Sequence, residues 1–319
     1  MDRLLTQTKQ TKQPLAQDLG ACIPRFEISQ KPYARRTLHH EALIGTALRT
    51  MHGRKGNSEA KSAEEFLDEE DTELSVQAAM MGDAGDENAQ LIRFFDKECH
   101  DLAKTHQIIT DHFVRLRALF SHGLCLQTGL TKVMLDTLRE RPKTFVLRGR
   151  AKTIGGDVPD AVINRCLSRM AAWCRLSEEI CTTEFAGFGL LQAMSAFNLE
   201  THMNELVLGE HLKVPLKRLC MCLNLNETLV WEEFCSYLPI AVEEFKKNHD
   251  MFLAWAAALQ RPPRGHVLHG ASLRKIVKRL GGWGASTTGC ERLLSKFVRT
   301  VNKHRAKDAS EERIQDEPP

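Results

Sequence analysis

The most basic part of the chain, residues 261–305, carries the residue types that contact phosphate groups. It holds eleven Lys or Arg residues against a single acidic residue, Glu291. On a helix predicted from Thr288 to about His304, basic residues recur at steps of four, three and four: Arg292, Lys296, Arg299 and Lys303. Surface helices usually pair such residues with acids one turn away. The pattern therefore predicts contact with a DNA or RNA backbone, with a solvated helix face as the alternative.

A second helix precedes this one, and both carry an apolar stripe. Ser272 opens the earlier helix and Gly281-Gly282 closes it. It adds Arg274 and Lys275 to the predicted nucleic-acid contact. The two stripes consist of Leu273, Ile276, Val277 and Leu280, and of Cys290, Leu294, Phe297 and Val301. Because a stable dimer buries about 1,200 to 2,000 Å², we expect these stripes to form the contact of a homodimer.

The residues between the two helices carry a family resemblance. They read Ala285-Ser286-Thr287-Thr288-Gly289-Cys290-Glu291-Arg292-Leu293-Leu294-Ser295. This order is similar to the C-terminal dimerisation region of hAT-superfamily transposases, with Leu294 where the family usually has Phe. The resemblance covers about residues 90–305, and its specific part is confined to 285–295. It implies a helical insertion followed by a self-association element.

The resemblance also implies a catalytic role for Glu291 as the third carboxylate of a metal-binding trio. Two-metal phosphoryl chemistry needs all three carboxylates, and no run of alternating strands precedes residue 90 to supply the others. Asp96, Asp101 and Asp157 are the only candidates nearby. We therefore expect a noncatalytic protein in which Glu291 forms a capping box with Thr288. A residual transposase or nuclease is the first alternative, and a helical scaffold without a nucleic-acid role is the second.

No other motif predicts catalysis, a cofactor or a metal site. The ten cysteines lack the paired spacing of a zinc site, so they are interpreted as buried structural thiols. The segment Gly149 to Gly156 lacks the Gly-Lys-Ser/Thr ending of a phosphate-binding loop. Asp111 and His112 could form a base dyad, but the polar face of a helix explains them more simply.

The elements that must position these residues are predicted to be mainly α-helical. We expect an irregular helical array with at most one short strand region, between a disordered N-terminal segment and a disordered C-terminal tail. Apolar periodicity predicts helices over Leu38 to Met51, Asp101 to Phe120 and Thr131 to Arg139, and helix after helix beyond Asp160. Thr144 to Leu147 is the strand candidate, and Pro239 fits the first turn of a helix.

Composition predicts the domain organisation and the compartment. Residues 1–73 are expected to be a largely disordered or linker segment with charge blocks, 74–260 a helical domain, 261–305 dimerisation helices that pack on it, and 306–319 a disordered tail. The net charge of +3 excludes a histone-like protein. The longest apolar run, Phe252 to Leu259, is far shorter than the roughly 20 residues that cross a bilayer. Since Met1 to Gln17 lacks the apolar core of a secretory signal, we expect no membrane partner and an intracellular protein, with the nucleus favoured over the cytoplasm.

Overall fold

A computed structural model describes residues 30–53, 56–95, 101–183, 187–203, 208–261 and 270–282. Across these ranges the chain is mainly α-helical, which confirms the predicted fold class. The helices are α1 (Gln30–Leu38), α2 (His40–Gly53), α3 (Ser58–Glu69), α4 (Thr72–Phe95), α5 (Leu102–Phe120), α6 (Gly129–Glu140), α7 (Asp160–Thr183), α8 (Phe188–Met194), α9 (Glu210–Leu223), α10 (Glu227–Asn248), α11 (Met251–Gln260) and α12 (Ala271–Gly282). Short 3₁₀ turns lie at Leu124–Leu126, Ser195–Phe197 and Leu199–His202.

Side-chain caps set the starts of several helices. The carboxamide of Asn226 accepts the backbone N–H of Leu229 at 3.0 Å at the start of α10. The carboxylate of Asp250 accepts the N–H of Leu253 at 2.8 Å at the start of α11. Each bond satisfies one of the donors that a helix N-terminus leaves without an intrahelical partner. The two caps therefore define where α10 and α11 begin.

The β-structure of the described ranges is a single hairpin. Strand β1 (Lys143–Leu147) pairs antiparallel with β2 (Arg150–Ile154), and Leu147 lies opposite Arg150. The connecting turn places both Arg148 and Gly149 at positive φ, 50° and 77°, as the tightest hairpin turns require. The predicted strand is confirmed, and β2 is its partner.

Residues 1–73 were predicted to be a largely disordered or linker segment with charge blocks, apart from a helix over Leu38 to Met51. In the described part of this segment the chain instead forms three helices, α1, α2 and α3, and α4 begins at Thr72. The physical reason is charge pairing within the chain. Arg148 donates to Glu64 at 2.8 Å and to Asp68 at 3.1 Å. Because basic side chains offset these acids, α3 can bury its apolar side, including Leu67.

Helix α10 also corrects a prediction, since Pro239 lies inside it and does not begin a new helix. A proline inside a helix removes one backbone donor and normally costs about 3 kcal/mol. Here the proline ring is exposed, while its neighbours Tyr237, Leu238 and Ala241 are all buried. Their burial offsets the cost, so α10 continues to Asn248.

The chain divides into two compact units that interleave along the sequence. The first consists of Met1–Ile92 and Ile109–Phe185, and the second of Arg93–Ile108 and Ala186–Pro319. The domains predicted from the sequence follow one another along the chain, and the interleaving was not foreseen. The core of the second unit is built around three aromatic rings, Phe197, Phe234 and Trp255, whose centroids lie 5.2 to 5.8 Å apart. Helix α12 packs onto this core.

Candidate nucleic-acid interface

The apolar stripe of α12 faces the core of its own chain. The side chains of Leu273 and Ile276 are fully buried, Val277 is nearly so, and Leu280 packs against the same cluster. The sequence assigned these residues to a dimer contact. The structure corrects that assignment for α12, because the surface that was to meet a second copy is occupied within the protomer. The sequence also predicted that the helices of residues 261–305 pack on the helical domain, and α12 packs in this way.

The opposite side of α12 is basic and exposed. Its exposed residues include Arg274, Lys275, Lys278 and Arg279. At about 100° of rotation per residue these four side chains span an arc of roughly 140°, opposite the buried stripe. No acidic residue occurs in α12. We call these four residues the basic face of α12. Arg274 and Lys275 are the described part of the predicted nucleic-acid contact, and Lys278 and Arg279 were not included in that prediction.

The start of α12 is held by contacts with α10 and α11. The carboxylate of Glu233 accepts the backbone N–H of Leu273 at 2.7 Å. Arg274 donates to the carbonyl of Leu259 at 2.7 Å, at the end of α11. Gly270 has φ +60°, and a Cβ there would lie 3.0 Å from the ring of Tyr237. The basic face therefore begins at a fixed point of the second unit.

Charged groups near the start of α12 act on the pKa of the Tyr237 hydroxyl. Burial raises the pKa of Tyr237 and the carboxylate of Glu233 raises it further, whereas the guanidinium of Arg274 lowers it. The three groups therefore lie within electrostatic range of one another. Since Glu233 is 2% exposed, its negative charge belongs to the interior under α12 and leaves the outer face positive.

The rest of the predicted interface lies outside the described residues. This applies to the second apolar stripe, to the second basic stripe and to the candidate carboxylate, namely Cys290, Leu294, Phe297, Val301, Arg292, Lys296, Arg299, Lys303 and Glu291. Asp96, one of the proposed carboxylate partners, is likewise outside. Their roles stay predictions.

The two remaining carboxylate candidates each have a local role. Asp101 accepts the backbone N–H of Ala103 at 3.0 Å, close to the start of α5, and burial raises the pKa of its carboxyl group. Asp157 is almost fully exposed and lies 3.8 Å from the guanidinium of Arg139. Within the described ranges, no three His, Cys, Asp or Glu side chains are grouped as a metal site would require.

Four of the seven described cysteines fit the interpretation as buried structural thiols. Burial raises the pKa of Cys125 to about 12 and that of Cys174 to about 11. A thiol with such a pKa is almost entirely protonated at neutral pH and is a poor nucleophile. The cysteines buried in the described ranges are Cys125, Cys166, Cys174 and Cys220, whereas Cys222 is exposed.

Sequence analysis missed a polar cluster buried in the first unit. The hydroxyl of Ser75 lies 3.1 Å from Nε2 of His40 and donates to Glu70 at 2.7 Å, and Arg36 pairs with the same carboxylate. Burial would raise the pKa of Glu70, but the nearby imidazole of His40, the hydrogen bond from Ser75 and the charge of Arg36 lower it.

This cluster differs from a catalytic triad in its geometry. In a triad the acid orients the second ring nitrogen of the histidine, whereas Glu70 lies 3.6 Å from Nε2 of His40, the nitrogen that faces Ser75. Ser75 is also completely buried. The cluster therefore joins α2 to the start of α4, and no local sequence motif signals it because His40 and Ser75 are 35 residues apart.

The histidine considered as a base is also buried. His112 is 2% exposed, and burial lowers the pKa of its imidazole. A neutral ring enclosed in the first unit does not reach a substrate. The basic face of α12 is therefore the best-defined candidate site among the described residues.

Comparisons of the chain with protein-family models, with curated proteins and with solved structures find no match. The resemblance to hAT-superfamily transposases, which rests on Ala285 to Ser295, therefore stays a prediction. No helix in the described ranges combines the length and the apolar character needed to cross a bilayer.

Proposed function

We propose that this protein binds the phosphate backbone of nucleic acid through the basic face of α12, without reading base sequence. The observation that supports this most is the division of α12 into a buried apolar side and an exposed side with four basic residues and no acid. Basic side chains that replace condensed counterions along phosphates supply affinity that does not depend on sequence.

The proposed role is noncatalytic. Glu233, the carboxylate in contact with α12, accepts a backbone N–H, and Asp101, one of the candidate metal ligands, does the same at the start of α5. These contacts favour a binding function over the alternative of a residual nuclease that uses Glu291. A protein that contacts nucleic-acid backbones fits a nuclear location, which we propose with it.

The test is a binding measurement on the full-length chain with two fluorescently labelled DNA duplexes of unrelated sequence. We expect similar affinity for both duplexes at low salt. The logarithm of the binding constant should then fall linearly with the logarithm of the salt concentration. Four phosphate contacts correspond to a slope of about 3.6 in log K against log salt. No measurable binding at low salt would refute the proposal and favour the helical scaffold. Divalent-ion-dependent nicking that Glu291→Gln abolishes would favour the nuclease.

We propose self-association as a second candidate function, with the contact surface on α11 and not on α12. Helix α11 contains no charged residue, and it exposes Phe252 and Leu253 by 47% and 55%. A helix that is apolar on all sides is normally covered on all sides. Sedimentation velocity of the wild type and of Phe252→Asp tests this. A dimer that the substitution dissociates supports it, and a wild-type monomer at high micromolar concentration contradicts it.

A further inference from the structure

The carboxylate of Glu233 occupies the position where a helix N-terminus would otherwise bind an anion. The first turn of a helix directs backbone N–H groups outward and carries about half a positive charge. A phosphate is the usual external ligand of such a terminus. In α12 the buried Glu233 already accepts the N–H of Leu273 at 2.7 Å. Part of this terminus is therefore already neutralised by Glu233, which favours the side of α12 as the surface for a phosphate.

The same end of α12 is fixed by two further contacts. Arg274 donates to the carbonyl of Leu259 at 2.7 Å, so part of its hydrogen-bonding capacity is used within the protein. The backbone at Gly270 also packs closely on α11, since a Cβ added there would lie 2.9 Å from the side chain of Leu259. The two hydrogen bonds and this close packing therefore hold the first turn in place and oppose rotation of the helix about its axis.

Rotation decides which side chains face solvent. Residues on α12 are separated by about 100° of rotation, so a modest turn of the helix in one direction would bring Arg274 toward the core and move Ile276 outward. A turn in the other direction would bring Arg279 toward the core and move Val277 outward. The hydrogen bond from the N–H of Leu273 to the carboxylate of Glu233 opposes this rotation on the buried side of the helix. It also holds a negative charge under the helix, where it cannot pair with the outward lysines.

We propose that Glu233 is a positioning residue that keeps the basic face of α12 directed outward for phosphate binding, an inference that rests on the proposed function. Glu233 does not touch nucleic acid. Its hydrogen-bond acceptor is the feature that matters, because the backbone N–H of Leu273 is its partner. A neutral acceptor of the same length therefore keeps most of the effect.

The test compares variants of the full-length chain in the DNA-binding assay, with far-UV circular dichroism to determine the folded fraction. Glu233→Ala removes the acceptor, and Glu233→Gln keeps an acceptor without the charge. Glu232→Ala is the matched control, because Glu232 is the exposed neighbour of Glu233 and its removal changes net charge equally. Glu233→Asp shortens the side chain by one methylene group and so moves the carboxylate away from Leu273. This variant replaces Glu233→Ala in the test if the alanine variant does not fold.

We expect folded Glu233→Ala or Glu233→Asp to bind DNA roughly tenfold more weakly at 0.1 M salt for each phosphate that the misdirected face no longer reaches, with the salt slope reduced by about 0.9 per phosphate. Glu233→Gln and Glu232→Ala should stay close to the wild type. If the folded alanine and aspartate variants bind with the wild-type affinity and slope, the positioning role is refuted while the proposed function stands. A wild-type chain without DNA affinity refutes the proposed function, and this inference with it.

Discussion

The carboxylate of Asp83 on α4 binds Thr131 on α6, forty-eight residues away in sequence. It accepts the backbone N–H of Thr131 at 3.0 Å and its hydroxyl at 2.5 Å, and it also accepts the N–H of Leu130 at 2.6 Å. The residue that precedes α6, Thr128, makes no side-chain cap of its own. Asp83 therefore supplies from a distance the cap that the local sequence lacks.

We expect Asp83→Ala to lower the free energy of unfolding by about 1 to 3 kcal/mol, because it leaves the buried donors of Thr131 and the partly buried N–H of Leu130 without this partner. Thr131→Val removes only the hydroxyl and should cost less, about 0.5 to 1.5 kcal/mol. Urea denaturation followed by circular dichroism measures both variants. Equal reductions in stability would show that the hydroxyl, and not the backbone cap, carries the interaction.

Two adjacent glycines after the hairpin provide a matched pair. Gly155 and Gly156 have φ values of +97° and +91°, so alanine is strained at either position. A Cβ on Gly155 would lie 2.6 Å from the carbonyl oxygen of Leu138, whereas a Cβ on Gly156 meets no atom within 4 Å. Gly155→Ala should therefore destabilise the protein by about 1 to 3 kcal/mol more than Gly156→Ala. Thermal denaturation of the two variants tests this, and equal melting temperatures would contradict it.

We expect the protein to lose stability in mild acid because of its buried histidines. Burial lowers the pKa of His112 and of His202, so as pH falls the unfolded chain binds their protons first. Their contribution to stability is therefore full above the unfolded pKa of about 6.5 and is lost as pH falls below it. The carboxyls of Asp83 and Asp101 have pKa values raised by burial and act with the opposite sign.

His112→Phe isolates the histidine effect from these carboxyls. The nearby charges that act on His112 are Glu87, which raises its pKa, and Arg115, which lowers it. We expect the variant to lose less unfolding free energy than the wild type between about pH 7.5 and about pH 5.5, the range around the unfolded pKa, measured by urea denaturation. His122→Phe, at an exposed position, should follow the wild type. A His112→Phe curve parallel to that of the wild type would show that this imidazole does not couple to folding.

The corrected role of α12 makes a separate prediction. Leu273 is fully buried in the core of its own chain, while Val214 on α9 is 72% exposed. Leu273→Ala should cost about 2 to 5 kcal/mol, and Val214→Ala should stay within about 0.5 kcal/mol of the wild type. Denaturation and sedimentation velocity are measured together. A Leu273→Ala protein of wild-type stability but altered oligomeric state would restore the dimer interpretation of α12.

Most helices could be predicted because their signals are local. The apolar periodicity of α5 and α7 and the caps of Asn226 and Asp250 are each contained within a few residues of sequence. Strand β2 has a single strongly apolar residue, Ile154, and it is a strand because it pairs with β1. The continuation of α10 through Pro239 likewise depends on packing from outside the local sequence.

The candidate site was predicted in part, for the same reason. Arg274 and Lys275 were assigned to nucleic-acid contact, whereas Lys278 and Arg279 were missed, although their spacing of four from those two residues was a usable signal. An apolar stripe does not reveal whether it packs on its own chain or on a second copy, so Leu273 and Ile276 were misassigned. Glu233 could not be found at all, because its partner Leu273 lies forty residues away.

The salt dependence of DNA binding by two double variants tests the central claim most directly. Lys275→Ala with Lys278→Ala removes two residues of the basic face of α12. Lys217→Ala with Lys246→Ala removes the same charge from exposed positions on α9 and α10. We predict that the first pair lowers the slope of log K against log salt by about 1.8, while the second leaves it near the wild-type value. Equal slopes for the two pairs would contradict a phosphate-binding face on α12.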